Sequence, residues 1–202
     1  MRDLDRRLKH AKRTDVSAGA AAAAEALAES AADSGLLDVA YTTLDLPVGR
    51  VVVAATPRGL CRISFANVSE DDVLHELADR ISPRVIEAPS YFDGVRSELE
   101  EYFAGRRTSF DLPIDWALTG GFTRKVLKRT ARIPYGAVSN YRDVAAAAGS
   151  PRGARAAGNA LGSNPIAIVV PCHRVLRTGG GIGGYGGGLD RKRLLLELEG
   201  VL

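Results

Sequence analysis

The sequence is poor in the residues that build metal sites and disulfide scaffolds. Its 202 residues include two cysteines and three histidines, and these side chains are scattered along the chain. A structural zinc site takes four ligands at short spacings, so we expect no metal. Two cysteines are too few for a disulfide framework, and a reducing compartment would keep both as thiols.

Long apolar stretches are also missing. No run approaches the roughly 20 apolar residues that span a bilayer, and the opening MRDLDRRLKHAKR lacks the hydrophobic segment of a secretory signal. We therefore expect a cytoplasmic protein with no membrane partner. Hydrophobic residues make up 46% of the chain and charged residues 25%, which is typical of a globular protein with an ordinary core.

Acidic residues are scarce in the second half of the chain. The net charge is +3, but residues 122–193 contain only Asp143 and Asp190 against many arginines and lysines, whereas residues 69–103 are acidic. The basic half could bind a polyanion, or it could be a solvated basic face; charge alone leaves both interpretations open.

The first half of the chain predicts an antiparallel sheet with helices. Residues 1–35 are charged and then alanine-rich, which indicates an appendage, helical or disordered. The runs VAYTTLDL, GRVVVAAT and LCRISF are rich in β-branched residues and separated by turn formers, so they predict an antiparallel meander. Ser69 and Asp72 resemble a helix cap, and residues 90–104 have helical spacing. We assign residues 36–118 to an α+β domain.

The second domain, residues 119–202, is predicted to be mostly helical. After a linker, FDLPIDWALTG, residues 123–133 and 141–148 predict two helices, and a third begins with Ser150 as N-cap and Pro151 at its first position. The closely joined second and third helices indicate a helix-turn-helix. The apolar run IAIVV is interpreted as a strand, and residues 189–198 as a last amphipathic helix.

Cys172 is the first candidate for chemistry. A thiolate is a strong nucleophile, and His173 and Arg174 place a potential base and a positive charge beside it. The alternative is a buried cysteine acting as a small hydrophobe, which is how we interpret Cys61. The glycine-rich loop 179–188 does not match a phosphate cradle; it could close over a flat ligand, or it could be a mobile surface loop.

The third helix offers little to read a DNA sequence. Its polar side chains are Arg152, Arg155 and Asn159, among small residues such as Ala154 and Gly158. Recognition helices read base edges through polar side chains. The composition therefore favours sequence-independent binding.

One motif resembles a known family. Pro171-Cys172-His173-Arg174-Val175, preceded by Asn164-Pro165 and followed by Leu194 to Glu199, is similar to the O6-alkylguanine-DNA alkyltransferases from about residue 38 onward. The resemblance implies a ribonuclease H-like N-terminal domain and a winged helix-turn-helix-like C-terminal domain. It also implies direct, irreversible repair of O6-alkylguanine, and also of O4-alkylthymine, in double-stranded DNA by a monomer that needs no cofactor.

The resemblance also implies roles for individual residues. Cys172 accepts the alkyl group, His173 removes the thiol proton through a water, Glu199 orients the histidine, and Asn164 braces the turn. Arg155 fills the stack that the extruded base has left, and its helix enters the minor groove. The remaining expected contacts are Tyr141, Leu161, the Val175 carbonyl, Tyr185 and Gly186 with the lesion, and Arg124, Arg152, Ala154 and Asn159 with DNA.

The sequence differs from the family at two points, and two other functions compete with repair. Gly186 stands where some relatives have serine, so a hydroxyl contact to the O6 atom is lost, and the zinc ligands of some N-terminal domains are missing. A Cys-His hydrolase would turn over repeatedly, and a helix-turn-helix regulator would prefer one DNA sequence and work without Cys172. We prefer the repair function, with at most one alkyl group transferred per protein.

Overall fold

The computed structural model describes Gly35 and residues 37–202. The predicted appendage, residues 1–35, lies outside the described residues except for Gly35. In the first half, strands β1 (Val39–Leu46), β2 (Gly49–Thr56) and β3 (Gly59–Phe65) form antiparallel hairpins. A short strand β4 (Val85–Glu87) gives a sheet of order β3-β2-β1-β4.

Strand β4 corrects the prediction of a purely antiparallel sheet. It pairs in parallel with β1, with Val39 opposite Val85. Helix α1 (Glu70–Arg80) carries the chain from β3 to the far edge of the sheet, so β4 enters in the direction of β1. Parallel neighbours need such a crossover. A strand of three residues shows too little periodicity to be predicted from sequence.

The predicted linker packs against the sheet. The Leu60 N–H donates to the Pro113 carbonyl over 2.8 Å, and the Asp115 N–H donates to the Leu60 carbonyl over 2.9 Å. Gly59 permits this approach because a Cβ there would lie 2.3 Å from the Pro113 oxygen, at a backbone φ of +131°. Residues 113–115 are therefore fixed to the edge of β3.

The helices of the first half begin close to their predicted positions. The Ser69 hydroxyl accepts a hydrogen bond of 3.1 Å from the Asp72 N–H, which confirms the predicted cap of α1. Helix α2 (Asp93–Phe103) follows a single 3-10 turn at Pro89–Phe92. Both buried side chains of α2, Leu99 and Tyr102, face the core.

The second half contains four helices and a small parallel sheet. The elements are α3 (Gly121–Thr130), β5 (Ser139–Asn140), α4 (Tyr141–Ala147), α5 (Ala154–Gly162), β6 (Val175–Leu176) and α6 (Leu189–Leu198). Helices α4 and α5 pack together as the predicted helix-turn-helix pair, and α3 packs against both. Helix α6 has the predicted bounds.

Helix α5 begins later than predicted. The Ser150 carbonyl accepts a hydrogen bond of 2.8 Å from the Gly153 N–H, so these residues form a turn before the helix. Gly153 is the N-cap, and a Cβ there would lie 2.4 Å from the Ser150 Oγ. The Ser150 side chain therefore does not cap α5. Helix α3 likewise ends at Thr130, before the predicted residue 133.

The apolar run IAIVV is not a strand. Ile166 forms an isolated bridge with Ile63, and the chain then turns, with the Val170 N–H bonded to the Ile166 carbonyl over 2.9 Å. Ile168 has a φ of 72°, which is rare for a β-branched residue. All five residues are buried, so the apolar composition of the run indicates burial and does not indicate strand pairing.

A buried hydrophobic cluster extends through both halves. It joins Phe92 and Tyr102 of the first half to Leu127 and Leu195 of the second. The sheet and helices are thus packed together, and the predicted α+β fold is confirmed. Among the described residues, no helix is long and apolar enough to cross a membrane.

Candidate active site

Cys172 lies at the start of a 3-10 turn, Cys172–Arg174, that follows the buried run. The residue is buried, with 6% of its surface exposed. The Asn164 amide donates to the Cys172 Sγ over 3.1 Å and to the Val170 carbonyl over 2.8 Å, and its oxygen accepts from the Ile166 N–H over 3.1 Å. The Asn164 side chain therefore links the thiol to the turn that precedes it. The resemblance assigned Asn164 to bracing this turn.

The surroundings of Cys172 differ from the expected positive environment. Burial raises the pKa of the thiol, while the hydrogen bond from Asn164 and the charge of Lys192 act in the opposite direction. Arg174 was expected to supply positive charge beside the thiol. Its guanidinium instead binds the Glu199 carboxylate. The resting thiol is therefore protonated, and a base is needed to activate it.

His173, Arg174 and Glu199 form a buried network. Glu199 Oε1 lies 2.9 Å from His173 Nε2 and 2.8 Å from Arg174 Nη2, and Oε2 accepts from Arg174 Nε over 2.8 Å. The Tyr102 hydroxyl of α2 donates to Oε1 over 2.7 Å. Side chains from both halves of the chain thus meet at one carboxylate.

The charges in this network define the histidine tautomer. Burial would raise the pKa of Glu199, but hydrogen bonds from His173, Arg174 and Tyr102 hold it at about 2. Burial lowers the pKa of His173. With an ionised carboxylate as acceptor, Nε2 carries the proton of the neutral ring. Nδ1 has no hydrogen-bond partner among the described residues, so its lone pair is available to accept a proton.

Cys172 lines a cavity of about 790 Å³ beside α5. The cavity brings together most of the residues that the resemblance assigned to the lesion. Its walls include Tyr141, Ala154, Arg155, Leu161, Cys172, Tyr185 and Gly186. The small residues of α5 matter here, because a Cβ at Gly158 would already be in contact with the Tyr141 ring at 3.7 Å.

Other predicted residues lie away from this cavity. Arg152 is exposed in the turn before α5, and Asn159 is exposed on α5. The Arg124 guanidinium donates to the carbonyls of Trp116 and Thr119, so part of its hydrogen-bonding capacity stabilises the turn before α3. The Val175 carbonyl accepts from Lys192 Nζ over 2.7 Å, which leaves it one lone pair for a ligand.

The same arrangement of domains is found in known proteins. Family models of 6-O-methylguanine DNA methyltransferase match the chain, the ribonuclease-like domain over residues 39–116 and the DNA-binding domain over residues 121–201. The chain belongs to the 6-O-methylguanine DNA methyltransferase family. The resemblance seen in the Cys172 motif is thereby confirmed.

Relatives of this methyltransferase cover most of its length. The methylated-DNA–protein-cysteine methyltransferase of Mycobacterium tuberculosis is 41% identical over 160 residues, or 79% of this chain and 91% of that protein. The constitutive enzyme of Bacillus subtilis is 34% identical over 80% of this chain and 95% of that protein. The crystal structure of the M. tuberculosis protein in complex with DNA has a TM-score of 0.69 at 40% identity, covering 79% and 92% of the chains.

Two buried residues that contact residues of the candidate site were not identified from the sequence. Lys192 is fully buried in α6 and donates to the Val175 and Gly184 carbonyls over 2.7 and 3.2 Å; burial lowers its pKa to about 8. It shares a helical face with the buried Leu195 and Leu196, a spacing that could have identified it. Tyr102 shares the buried face of α2 with Leu99, but nothing in that pattern indicates its partner Glu199.

Proposed function

We propose that this methyltransferase repairs DNA by moving the O6-alkyl group of a damaged guanine to the sulfur of Cys172, once per protein molecule. The observation that carries the proposal is the Cys172 thiol in the wall of a large cavity, bonded to Asn164 and adjacent in sequence to the buried His173–Glu199 pair. The M. tuberculosis relative was crystallised in complex with DNA, which supports DNA as the partner here.

The chemistry follows from Cys172 in the cavity wall and from His173, the next residue in the chain. His173 Nδ1 takes the thiol proton through a water, and the thiolate sulfur attacks the alkyl carbon. The C–O6 bond breaks, its electron pair stays on the guanine, and the guanine takes up the proton released by the thiol. The product is a thioether whose C–S bond is stable to hydrolysis, so Cys172 is not regenerated. Every reacting group is supplied by the protein or the lesion, and no cofactor is required.

The base reaches the thiol after leaving the duplex. The alkyl carbon is inaccessible in the stack, so the nucleotide is extruded into the cavity. We place Tyr141 against the lesion and its phosphate, and Arg155 in the vacated stack from the minor-groove side. The exposed Arg155 and the small residues of α5 suit close approach to that groove. Arg152, Asn159 and the exposed part of Arg124 contact the backbone without reading sequence.

Groups that line the cavity, together with the Val175 carbonyl outside its lining, hold the guanine. We assign the carbonyls of Cys172 and Val175 to the guanine amino group, with Leu161 and Tyr185 against the ring. Because Gly186 has no side chain, its backbone N–H is the group that can reach the O6 atom. The same cavity is expected to admit O4-alkylthymine.

The wider assignment remains as expected from the sequence. We propose that residues 36–118 and 119–202 are two domains of a cytoplasmic monomer. We place the basic second half against the DNA, because its lysines and arginines can neutralise phosphates.

Peptide mass spectrometry tests the function directly. After incubation with a duplex containing O6-methylguanine, the peptide with Cys172 should gain one methyl group, with at most one equivalent per protein. Cys172→Ala should abolish transfer and still bind DNA. Cys61→Ala is the control, because Cys61 is fully buried and burial raises its thiol pKa to about 12. Methyl transfer by Cys172→Ala, or repeated turnover by the parent protein, would contradict the proposal.

A further inference from the structure

The loop over the reactive cavity has open space on two sides. Tyr185 and Gly186 line the cavity that contains Tyr141 and Arg155, and they also line a second cavity of about 480 Å³ beside β3 and α1. This part of the loop is therefore a wall between two cavities. Tyr185 packs against the hydrophobic cluster, whereas Gly186 and Gly187 have no side chains to pack, so their position depends on the groups that bind their carbonyls.

Two side chains fasten this wall to the rest of the molecule. Asn67, just after β3, donates from Nδ2 to the Gly186 carbonyl over 3.1 Å. Arg191 of α6 donates from Nη1 to the Gly187 carbonyl over 2.8 Å and from Nε to the Val48 carbonyl over 2.6 Å. Val48 lies in the turn between β1 and β2, so Arg191 bridges the loop and the N-terminal sheet.

Aromatic packing fixes the same contact. The Arg191 guanidinium lies 5.1 Å from the centroid of the Phe65 ring, and that ring lies 5.9 Å from the ring of Tyr185. A Cβ at Gly187 would come within 2.6 Å of Phe65, so the loop backbone is seated closely on the end of β3. A planar guanidinium presents separate N–H groups to two carbonyls while its face covers an aromatic ring, a geometry that the single ammonium nitrogen of lysine does not reproduce.

We propose that Asn67 and Arg191 are positioning residues that hold Tyr185–Gly187 over the cavity and thereby determine which alkyl groups react. This inference rests on the proposed function. A wall held by hydrogen bonds keeps a small alkyl group aligned with the sulfur, and it excludes larger groups. Loss of the hydrogen bonds from Asn67 or Arg191 should widen the cavity. Large alkyl groups should then enter more easily, and small alkyl groups should be less well aligned with the sulfur.

Transfer rates with two lesions test the role of these residues. Second-order rate constants would be measured on duplexes that carry O6-benzylguanine or O6-methylguanine. In Arg191→Ala and Arg191→Lys, the benzyl-to-methyl ratio should rise about fivefold, the factor that corresponds to one net hydrogen bond. Asn67→Ala should change the ratio in the same direction by a smaller factor. Amide hydrogen exchange of residues 184–188 should be faster in all three variants.

Arg193→Ala is the matched control. Arg193 is exposed in the same helix and lies 3.9 Å from Asp190, so this variant removes the same charge from α6 without touching the loop. The benzyl-to-methyl rate ratio and the amide hydrogen exchange of Arg193→Ala should equal those of the parent protein. The inference is wrong if Asn67→Ala and Arg191→Lys keep the parent ratio, or if both lesions slow equally. Failure of the parent protein to transfer either group would instead contradict the proposed function.

Discussion

Glu199 has more partners than a cysteine–histidine–carboxylate relay requires. It binds His173, Tyr102 and, through both oxygens, Arg174. Removing a carboxylate from a buried ion pair leaves the partner charge uncompensated, which costs about 3–5 kcal/mol. Glu199→Gln therefore changes the fold and the relay together, and the proton transfer is better tested at the histidine.

His173→Gln should slow alkyl transfer at neutral pH and leave the fold intact. The glutamine amide can still donate to Glu199, but it cannot accept a proton, and a general base contributes roughly 100-fold or more. Because burial raises the thiol pKa, the rate of the variant should climb with pH beyond ~8.5, the value of a free thiol. Single-turnover rates from pH 6 to pH 10 measure this. A variant rate that parallels the parent at every pH would remove His173 from the relay.

At the scale of the element, the cap of α4 supports the site. The Asn140 side chain accepts from the N–H groups of Arg142 and Asp143, and α4 begins with Tyr141 in the cavity wall. Asn140→Ala should cost about 1 kcal/mol of unfolding free energy, as cap deletions do, and should also slow transfer. Ser69→Ala is the control, since it deletes a similar cap at α1, and α1 does not line the cavity that contains Tyr141 and Arg155. Urea denaturation measures the stability of both variants, and single-turnover assays measure their transfer rates. Parent-like transfer by Asn140→Ala would contradict this prediction.

Helix α5 offers a test of base extrusion. Arg155 lines the cavity, whereas Arg152 lies in the turn before the helix. Arg155→Ala should slow repair of duplex DNA far more than it weakens binding to undamaged DNA, because flipping costs a few kcal/mol and occurs only at the lesion. Its reaction with free O6-alkylguanine base should be nearly unchanged.

Arg152→Ala provides the comparison for Arg155. Loss of one phosphate contact should weaken binding to damaged and intact DNA alike and reduce the salt slope by about one. Equal losses of repair and intact-DNA affinity in both variants would show that Arg155 is one more backbone contact and does not support the extruded state.

For the whole molecule, stability should fall in acid. Burial lowers the pKa of His173, and the Glu199 pKa is held at about 2, so the unfolded chain binds protons at both residues before the folded chain does. The free energy of unfolding should decline below pH ~6.5 and again below ~4.3, the unfolded values. The Glu199 step corresponds to about 3 kcal/mol.

Urea denaturation at a series of pH values measures this loss. Tyr102→Phe should reduce the lower step, because it removes one hydrogen bond that lowers the Glu199 pKa. An unfolding free energy that stays constant between pH 7 and pH 3 would contradict the network as described. The test concerns the whole molecule, since Tyr102 and Glu199 come from different halves of the chain.

Local patterns in the sequence determined the hairpins, the α1 cap, the last helix and the cysteine motif. Each depends on residues close together in the chain, such as Ser69 with Asp72, or the run Pro171–Val175. Short-range hydrogen bonds and the periodicity of apolar residues specify such features. The family could be recognised for the same reason.

Tertiary structure alone decided the rest. IAIVV is buried but turned, because packing and not strand pairing surrounds it. Strand β4 pairs with β1 because helix α1 carries the chain to that edge of the sheet. Arg174 contacts Glu199 because the end of α6 lies beside the turn that contains Cys172. Tyr102 meets the same carboxylate from a helix 97 residues earlier in the chain. Such contacts depend on the folded distance between elements, and no local pattern encodes that distance.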